Sequence, residues 1–345
     1  YSTPHLVKFN ERIQLRSKEI SNQKLLEYLK FCEDKNEGNL ITFFEITTAA
    51  AFKAFQDHKA DYLILEVGLG GRFDATNILK KSKYAAITPI SLDHQDYLGN
   101  SLYQIAFEKL GILNPKSKIF INRQKTNVMK YIKSQLKKRK LTANLFNTHW
   151  KIKSNFYLSN DIKISLSKLS LQGSHQLINA GLAIHLARNI LKEKFVIEKT
   201  EKALMNCEWP GRLQQIKSGL LNKKIKKYKD IYLDGFHNID GMKALLKSLP
   251  KNRKILICSF LNNKKYTQML SSLSNHFNKI IVVKMNEENS ITEDLLPKYL
   301  KLYFANSLTD SFKMINKFSS NQTTIYFGGS LYFIGEVIKL NRLKN

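Results

Sequence analysis

Glu66 ends the apolar run Asp61–Val67, and His94 follows a second run, Tyr84–Ile90, within Leu92-Asp93-His94. Open α/β sheets place their ligands at such strand ends. A carboxylate there either holds Mg²⁺, directly or through water, or pairs with a nearby Lys or Arg. An imidazole there either ligates a metal or caps the next turn. If the two runs are neighbouring strands of one sheet, Glu66 and His94 converge on a shared ion. Gly68-Leu69-Gly70-Gly71-Arg72-Phe73-Asp74 brings backbone close to a ligand, but it matches neither GxGxxG nor GxxxxGK followed by Ser or Thr. Further on, Asp234-Gly235-Phe236-His237-Asn238 puts an acid and an imidazole between a strand and a helix, where a nucleotide can lie; capping by Asn238 is the plain alternative. Gly328-Gly329-Ser330 offers either an anion site at a helix N-terminus or a simple turn.

These residues need elements to carry them. Lys24–Asp34 and Phe43–His58 have helical spacing, and Asp61–Val67 reads as a buried parallel strand. The strand Tyr84–Ile90, a helix over 102–110 and a strand Lys118–Ile121 continue the alternation of a mostly parallel, helix-covered sheet. Trp150–Leu171 alternates polar and apolar around Ser159–Asp161, as a small hairpin does. Helices over 175–191 and 197–207 follow, and Glu208-Trp209-Pro210-Gly211-Arg212 breaks the pattern as a candidate hinge. Four more strands, Ile231–Asp234, Lys254–Phe260, Lys279–Met285 and Thr323–Phe327, alternate with helical segments as in an open doubly wound sheet. The expected domains are residues 1–208 and 209–345.

A chain of 345 residues with 43% hydrophobic content has room for two cores. No apolar run reaches the roughly 18–20 residues of a membrane span, and Tyr1–His5 has no signal-peptide pattern. With no initiator Met, the sequence reads as part of a longer one. Cys32, Cys207 and Cys258 form neither a CxxC pair nor a disulfide framework, in keeping with a reducing cytoplasm. The net charge of +28 comes from 47 Lys and only 9 Arg, spread along the chain. Arg is the residue that forks onto phosphates and bases, so specific nucleic-acid binding is not expected.

The order of the motifs is more specific than any one of them. Ser2-Thr3-Pro4-His5-Leu6, Phe9-Asn10-Glu11-Arg12-Ile13, Thr42-Phe43-Phe44-Glu45 and Leu65–Asn77 come first. Leu92-Asp93-His94, Glu108–Ile112, His175-Gln176 with Asn179-Ala180, Trp209–Leu213, Asp234–Asn238 and Gly329–Tyr332 follow. Together they closely resemble the folylpolyglutamate synthase/dihydrofolate synthase family of the Mur ligase superfamily, across essentially the whole chain. The resemblance implies an α/β fold: a Mur-ligase-like, P-loop-type ATPase domain, here incomplete, then a smaller doubly wound Rossmann-like domain.

The implied activity is ATP-dependent ligation of L-glutamate to dihydropteroate and to folylpolyglutamates through an acyl phosphate, an ADP-forming carbon–nitrogen ligase reaction. The alternatives are a monofunctional folylpolyglutamate synthase and a non-catalytic folate- or nucleotide-binding remnant. By position, Thr3, Glu66 and His94 match the magnesium ligands, Thr standing where the family has Ser. Lys109 matches a lysine that is carboxylated by CO₂. Thr42, Phe43, Phe44, Glu45, Phe73, Asp74 and Ala75 match pteroate-binding segments. Asn179, Arg212 and Asp234 match ATP contacts, with His237 beside them; Lys109, Arg212 and His237 make up the implied catalytic set. The implied cofactors are ATP and two Mg²⁺ ions, and the partners are dihydropteroate, folates and L-glutamate, bound by a cytoplasmic monomer with no membrane attachment. Three departures stand out. Phe236 and Ile239 replace Ala and Pro of Asp-Gly-Ala-His-Asn-Pro. Asn263-Lys264-Lys265 replaces Asp-Lys-Asp. The glycine-rich phosphate loop that precedes Ser-Pro-His in the family is not in the sequence, so this chain by itself is expected not to catalyse ligation.

Overall fold

The computed structural model describes residues 1–78 and 82–343. The chain divides into two compact units, Tyr1–Asn144 and Leu145–Asn345.

In the first unit, β1 (Gln14–Leu15) and β2 (Lys18–Glu19) pair antiparallel. The helices α1 (Asn22–Asn36) and α2 (Phe43–Asp57) follow. The Ser21 side chain accepts from the Lys24 amide at the start of α1, and Thr42 accepts from Glu45 at the start of α2, which satisfies amides that have no intrahelical partner. Small residues on α2, Ala50, Ala51 and Ala54, are buried with Leu25 and Tyr28 of α1 and with Ile13 and Ile20.

A three-stranded sheet in the order β3 (Tyr84–Ile87), β4 (Lys118–Ile121), β5 (Ala143–Leu145) carries α3 (Gln95–Leu98), α4 (Leu102–Leu110) and α5 (Thr126–Lys138) between its strands. β3 and β4 run parallel, Tyr84 opposite Lys118, so the intervening helices form the crossover that parallel pairing demands. The helix α5 was not anticipated. Its signal is the i, i+4, i+8 burial of Val128, Ile132 and Leu136.

One expectation fails. Asp61–Val67 forms no strand, and Ile64 is 82% exposed. Its backbone partner is Tyr1: the amino terminus donates to the Ile64 carbonyl at 2.8 Å, and the Glu66 amide donates to the Tyr1 carbonyl at 3.0 Å. An apolar run predicts an extended chain, whereas a strand also needs a neighbour to complete its ladder. No strand among the described residues supplies one.

In the second unit, β6 (Lys151–Lys153), β7 (Phe156–Ser159) and β8 (Ile162–Ser165) form an antiparallel meander. α6 (Ser174–Leu191) and α7 (Ile197–Met205) follow, and Gly181 lets Ile152 approach α6. Then come β9 (Gln214–Gln215), α8 (Leu220–Lys224), β10 (Asp230–Asp234), α9 (Ile239–Ser248), β11 (Lys254–Cys258), α10 (Tyr266–Ser274), β12 (Lys279–Val283), β13 (Tyr303–Ala305), α11 (Leu308–Phe318), β14 (Thr324–Gly328) and α12 (Leu331–Asn341). The sheet order is β13-β12-β11-β14-β10-β9, parallel except for β9. All four expected strands are present, and short β13 and β9 extend the edges. β11, β12 and β14 are almost wholly buried, which explains their unbroken apolar runs. Consecutive β10 and β11 flank β14, so the connections part there, the kind of position where doubly wound sheets bind ligands.

Candidate active site

The first unit gathers its chemistry around the glycine tract. Gly70 and Gly71 have φ of +66° and +150°, conformations open to glycine at little cost. A Cβ on Gly71 would lie 2.9 Å from Ile112 and 3.0 Å from the Glu108 carbonyl, and one on Gly111 would lie 2.4 Å from the Arg72 Cα. Tract and helix α4 therefore interlock backbone to backbone. The Arg72 amide donates to the Glu108 carbonyl at 2.9 Å, and Arg72 Nε and Nη2 donate to the Glu108 carboxylate at 3.1 and 2.8 Å.

That interlock places Lys109 beside Asp74 and Asp93. Burial holds the Lys109 amine below its ordinary range, against the opposing pull of the Asp93 and Asp74 carboxylates. Thr3 and Glu66 also meet: the Thr3 amide donates to Glu66 Oε2 at 2.9 Å. His94 is exposed at the N-cap of α3, in the left-handed region at φ +50°, a conformation that costs a non-glycine residue on the order of 1 kcal/mol and clusters at functional sites. Glu66 lies in a segment that forms no strand and His94 lies well past the end of β3, so they do not terminate paired strands as expected. Of the three expected ligands, Thr3 and Glu66 are in contact through the Thr3 amide, and among the described residues no group of three or more His, Cys, Asp or Glu is placed to hold a metal ion.

The second unit has its own cluster where β10 ends. Asp234 Oδ2 accepts from the Leu213 amide at 2.9 Å and Oδ1 from the Phe236 amide at 3.0 Å. The Gly235 amide donates to the Gly211 carbonyl at 2.7 Å. These bonds tie the Gly211–Leu213 turn to the end of β10 and bring Arg212 into the field of Asp234. Burial pushes the Asp234 carboxyl up to about 6, while Arg212, the two amides and His237 pull the other way. His237 Nδ1 lies 3.0 Å from the Gly235 carbonyl, so Nδ1 carries the proton. Asn238 caps α9 by accepting from the Gly241 amide at 2.8 Å. Asn179 is exposed on α6, its amide donating to Gln176 Oε1 at 3.2 Å.

Residues 17–187 match the Mur ligase middle domain. A dihydrofolate synthase/folylpolyglutamate synthase of Haemophilus influenzae is 30% identical over 322 residues, spanning 89% of this chain and 72% of that protein. The chain belongs to the dihydrofolate synthase/folylpolyglutamate synthase family. A Bacillus subtilis protein of the same name is 28% identical over 375 residues, 100% of this chain and 83% of its own length. Two solved structures share the fold. Mycobacterium tuberculosis folylpolyglutamate synthase complexed with ADP has a TM-score of 0.84 at 24% identity, over 99% of this chain and 84% of that one. E. coli FolC in complex with DHPP and ADP has a TM-score of 0.86 at 23% identity, over 98% and 80%.

Several positions that the resemblance implies for pteroate binding hold the local structure. Thr42 and Glu45 form a capping box: Glu45 Oε2 accepts from the Thr42 amide at 2.8 Å and from its hydroxyl at 2.6 Å. Phe44 packs on Gly68, where a Cβ would come within 2.3 Å of the ring. Asp74 is 8% exposed, accepting from the Leu69 amide at 2.8 Å and the Thr76 amide at 2.9 Å. Ala75 begins the single turn Ala75–Ile78. Phe43 and Phe73 are 66% and 83% exposed, so these two rings are open to a ligand.

Phe236, the departure from the family motif, points into the core at 2% exposure. A Cβ on Gly328 would meet its ring at 2.3 Å, so a glycine on the neighbouring strand accommodates the larger side chain. Gly329, at φ +100°, lies against the Ser259 carbonyl, and Ser330 caps α12; Gly328–Ser330 is a close-packed strand–helix turn. His175 is a further candidate. Burial and then Arg212 lower its pKa, and its buried Nδ1 has no hydrogen-bond partner. Only a contact between sequence-distant residues reveals it.

The Asp234 shift has a testable sign. A carboxyl with a raised folded-state pKa contributes stability that is present below its unfolded value, near 3.9, and is lost as pH rises through the folded value. The second unit is expected to lose on the order of 3 kcal/mol from this group between pH 4 and 7. The Asp234 carboxyl carbon should titrate by NMR with a midpoint near 6. A midpoint below 4 would show that the carboxylate is well solvated.

Proposed function

We propose that the fold and site residues of this chain serve the ligation of L-glutamate to dihydropteroate and to folylpolyglutamates, with ATP converted to ADP and phosphate, once a phosphate loop completes the nucleotide site. The observation that carries this reading is family membership extending over 89% of the chain. In this reading residues 1–208 make up the ATP- and folate-binding part and 209–345 the ligase part, the turn at Glu208–Arg212 lying between them.

Thr3, Glu66 and His94 are the proposed metal ligands, and Mg²⁺ bound there supplies charge neutralisation between the anionic nucleotide and the anionic acceptor. The desolvated Lys109 amine is the group that takes up CO₂ as a carbamate, exchanging a cation for an anion beside Asp74 and Asp93. Asn179, Arg212 and Asp234 contact ATP, with His237 beside them. Arg212 stabilises charge on the transferred phosphoryl group. The substrate carboxylate attacks the γ-phosphorus, ADP leaves, the glutamate amine attacks the acyl phosphate carbon, and phosphate departs as the amide forms. Phe43 and Phe73, both exposed, are the aromatic faces assigned to the pteroate rings in this reading; the E. coli structure of similar fold is a complex with DHPP and ADP.

The test is ADP formation by this chain, and by the chain extended N-terminally with a family phosphate loop, with each substrate varied in turn. Dependence on dihydropteroate and L-glutamate together is expected. Turnover with tetrahydrofolate but not dihydropteroate would establish the monofunctional enzyme, and no folate-dependent ADP formation would leave a binding protein. Relatives in the comparison carry single-activity names as well, including a Saccharomyces cerevisiae dihydrofolate synthetase at 28% identity.

A further inference from the structure

Phe73 is 83% exposed, yet it is not a loose side chain. The Arg72 guanidinium carbon lies 4.1 Å from the centroid of its ring and 5.0 Å from that of Phe107, which is 47% exposed on α4. The same guanidinium forks onto the Glu108 carboxylate through two nitrogens, at 2.8 and 3.1 Å. Its orientation is therefore set by a planar bidentate pair, a geometry that lysine cannot reproduce. The backbone reinforces it: Arg72 donates from its amide to Glu108, and Asn77 Nδ2 donates to the Arg72 carbonyl at 3.2 Å. Glu108 is rooted in α4, a regular helix, so the chain of contacts runs from a rigid element through Arg72 to one face of an exposed ring.

We infer that Arg72 and Glu108 are positioning residues that hold Phe73 as a preorganised stacking platform for the planar ring system of the substrate. The inference rests on the proposed pteroate specificity. The cation covers one face of the Phe73 ring and leaves the other to solvent, so a flat heteroaromatic ring stacks on the open face without having to immobilise the side chain first. Preorganisation of this kind appears as affinity for the aromatic substrate and leaves nucleotide binding untouched.

The experiment measures pteroate and ADP affinities of the chain and of three variants, together with ¹⁹F spectra of 4-fluorophenylalanine at position 73. Arg72→Gln is expected to weaken pteroate binding about tenfold, to leave ADP affinity within a factor of two, and to move the Phe73 fluorine signal toward that of a free ring. Arg72→Lys keeps the charge but loses the fork, and should resemble Arg72→Gln. The double swap Arg72→Glu with Glu108→Arg restores an ion pair and thus stability, yet moves the guanidinium off Phe73; pteroate affinity should stay low. Recovery of affinity in the double swap would reduce the pair to a structural salt bridge and overturn the inference. Unchanged pteroate affinity in Arg72→Gln would overturn it as well. Absence of pteroate binding by the unaltered chain would overturn the substrate reading and this inference with it, whereas unaltered binding with unresponsive variants would overturn the inference alone.

Discussion

Glu66→Gln is expected to weaken Mn²⁺ binding, followed by electron paramagnetic resonance, by about 100-fold or more. The amide keeps the shape of the side chain and can still accept from the Thr3 amide, which lies 2.9 Å from Glu66 Oε2 in the native chain, so local structure should survive. What is lost is the formal charge, and hard divalent cations draw most of their protein affinity from carboxylates. Even residues that merely support a ligand cost 10- to 100-fold when removed, so a direct ligand should cost at least the upper end of that range. Near-native Mn²⁺ affinity in Glu66→Gln, with His94→Gln equally silent, would remove Thr3, Glu66 and His94 from the proposed metal site.

Asp74→Ala should destabilise the first unit by about 2–4 kcal/mol, because it strands amides that the carboxylate now satisfies, each worth about 1–3 kcal/mol when left unpaired in a buried setting. Thr76 is buried at 6% exposure and feels the loss in full, whereas Leu69, at 36%, can turn to water. Hydrogen exchange should quicken first at the Leu69 and Thr76 amides, and urea unfolding should begin earlier. The comparison separates two roles for one residue. If pteroate binding disappears while exchange and unfolding are unchanged, Asp74 acts on the ligand directly, and its bonds within the tract are incidental.

Much of the architecture was legible because periodicity depends on short-range geometry. Leu102–Leu110 and Lys118–Ile121 fall where helical spacing and an apolar run put them, and β11, β12 and β14 of the second sheet announce themselves because strands buried on both faces are apolar throughout. Asp61–Val67 shows where this reasoning stops, since the same apolar signal arises whether or not a partner strand exists. The division into compact units at 144/145 is a property of the folded chain, because compactness is a sum over contacts distant in sequence.

Family and reaction class could be read from motif order alone, since residues bound to one chemistry keep their types and their sequence along the chain. The site's electrostatics could not. Lys109 is desolvated beside Asp74 and Asp93 only because Gly71 and Gly111 let a loop and a helix touch at their backbones. Asp234 rises toward 6 only because the Gly211–Leu213 turn folds over the end of β10. Phe236, larger than the Ala of the family motif, is accommodated only because Gly328, on a strand 92 positions later by sequence number, makes room for it. Residue types specify which reactions are open to a chain, but pKa, exposure and reach depend on what surrounds each group, and those surroundings come from separate stretches that only the folded chain brings together.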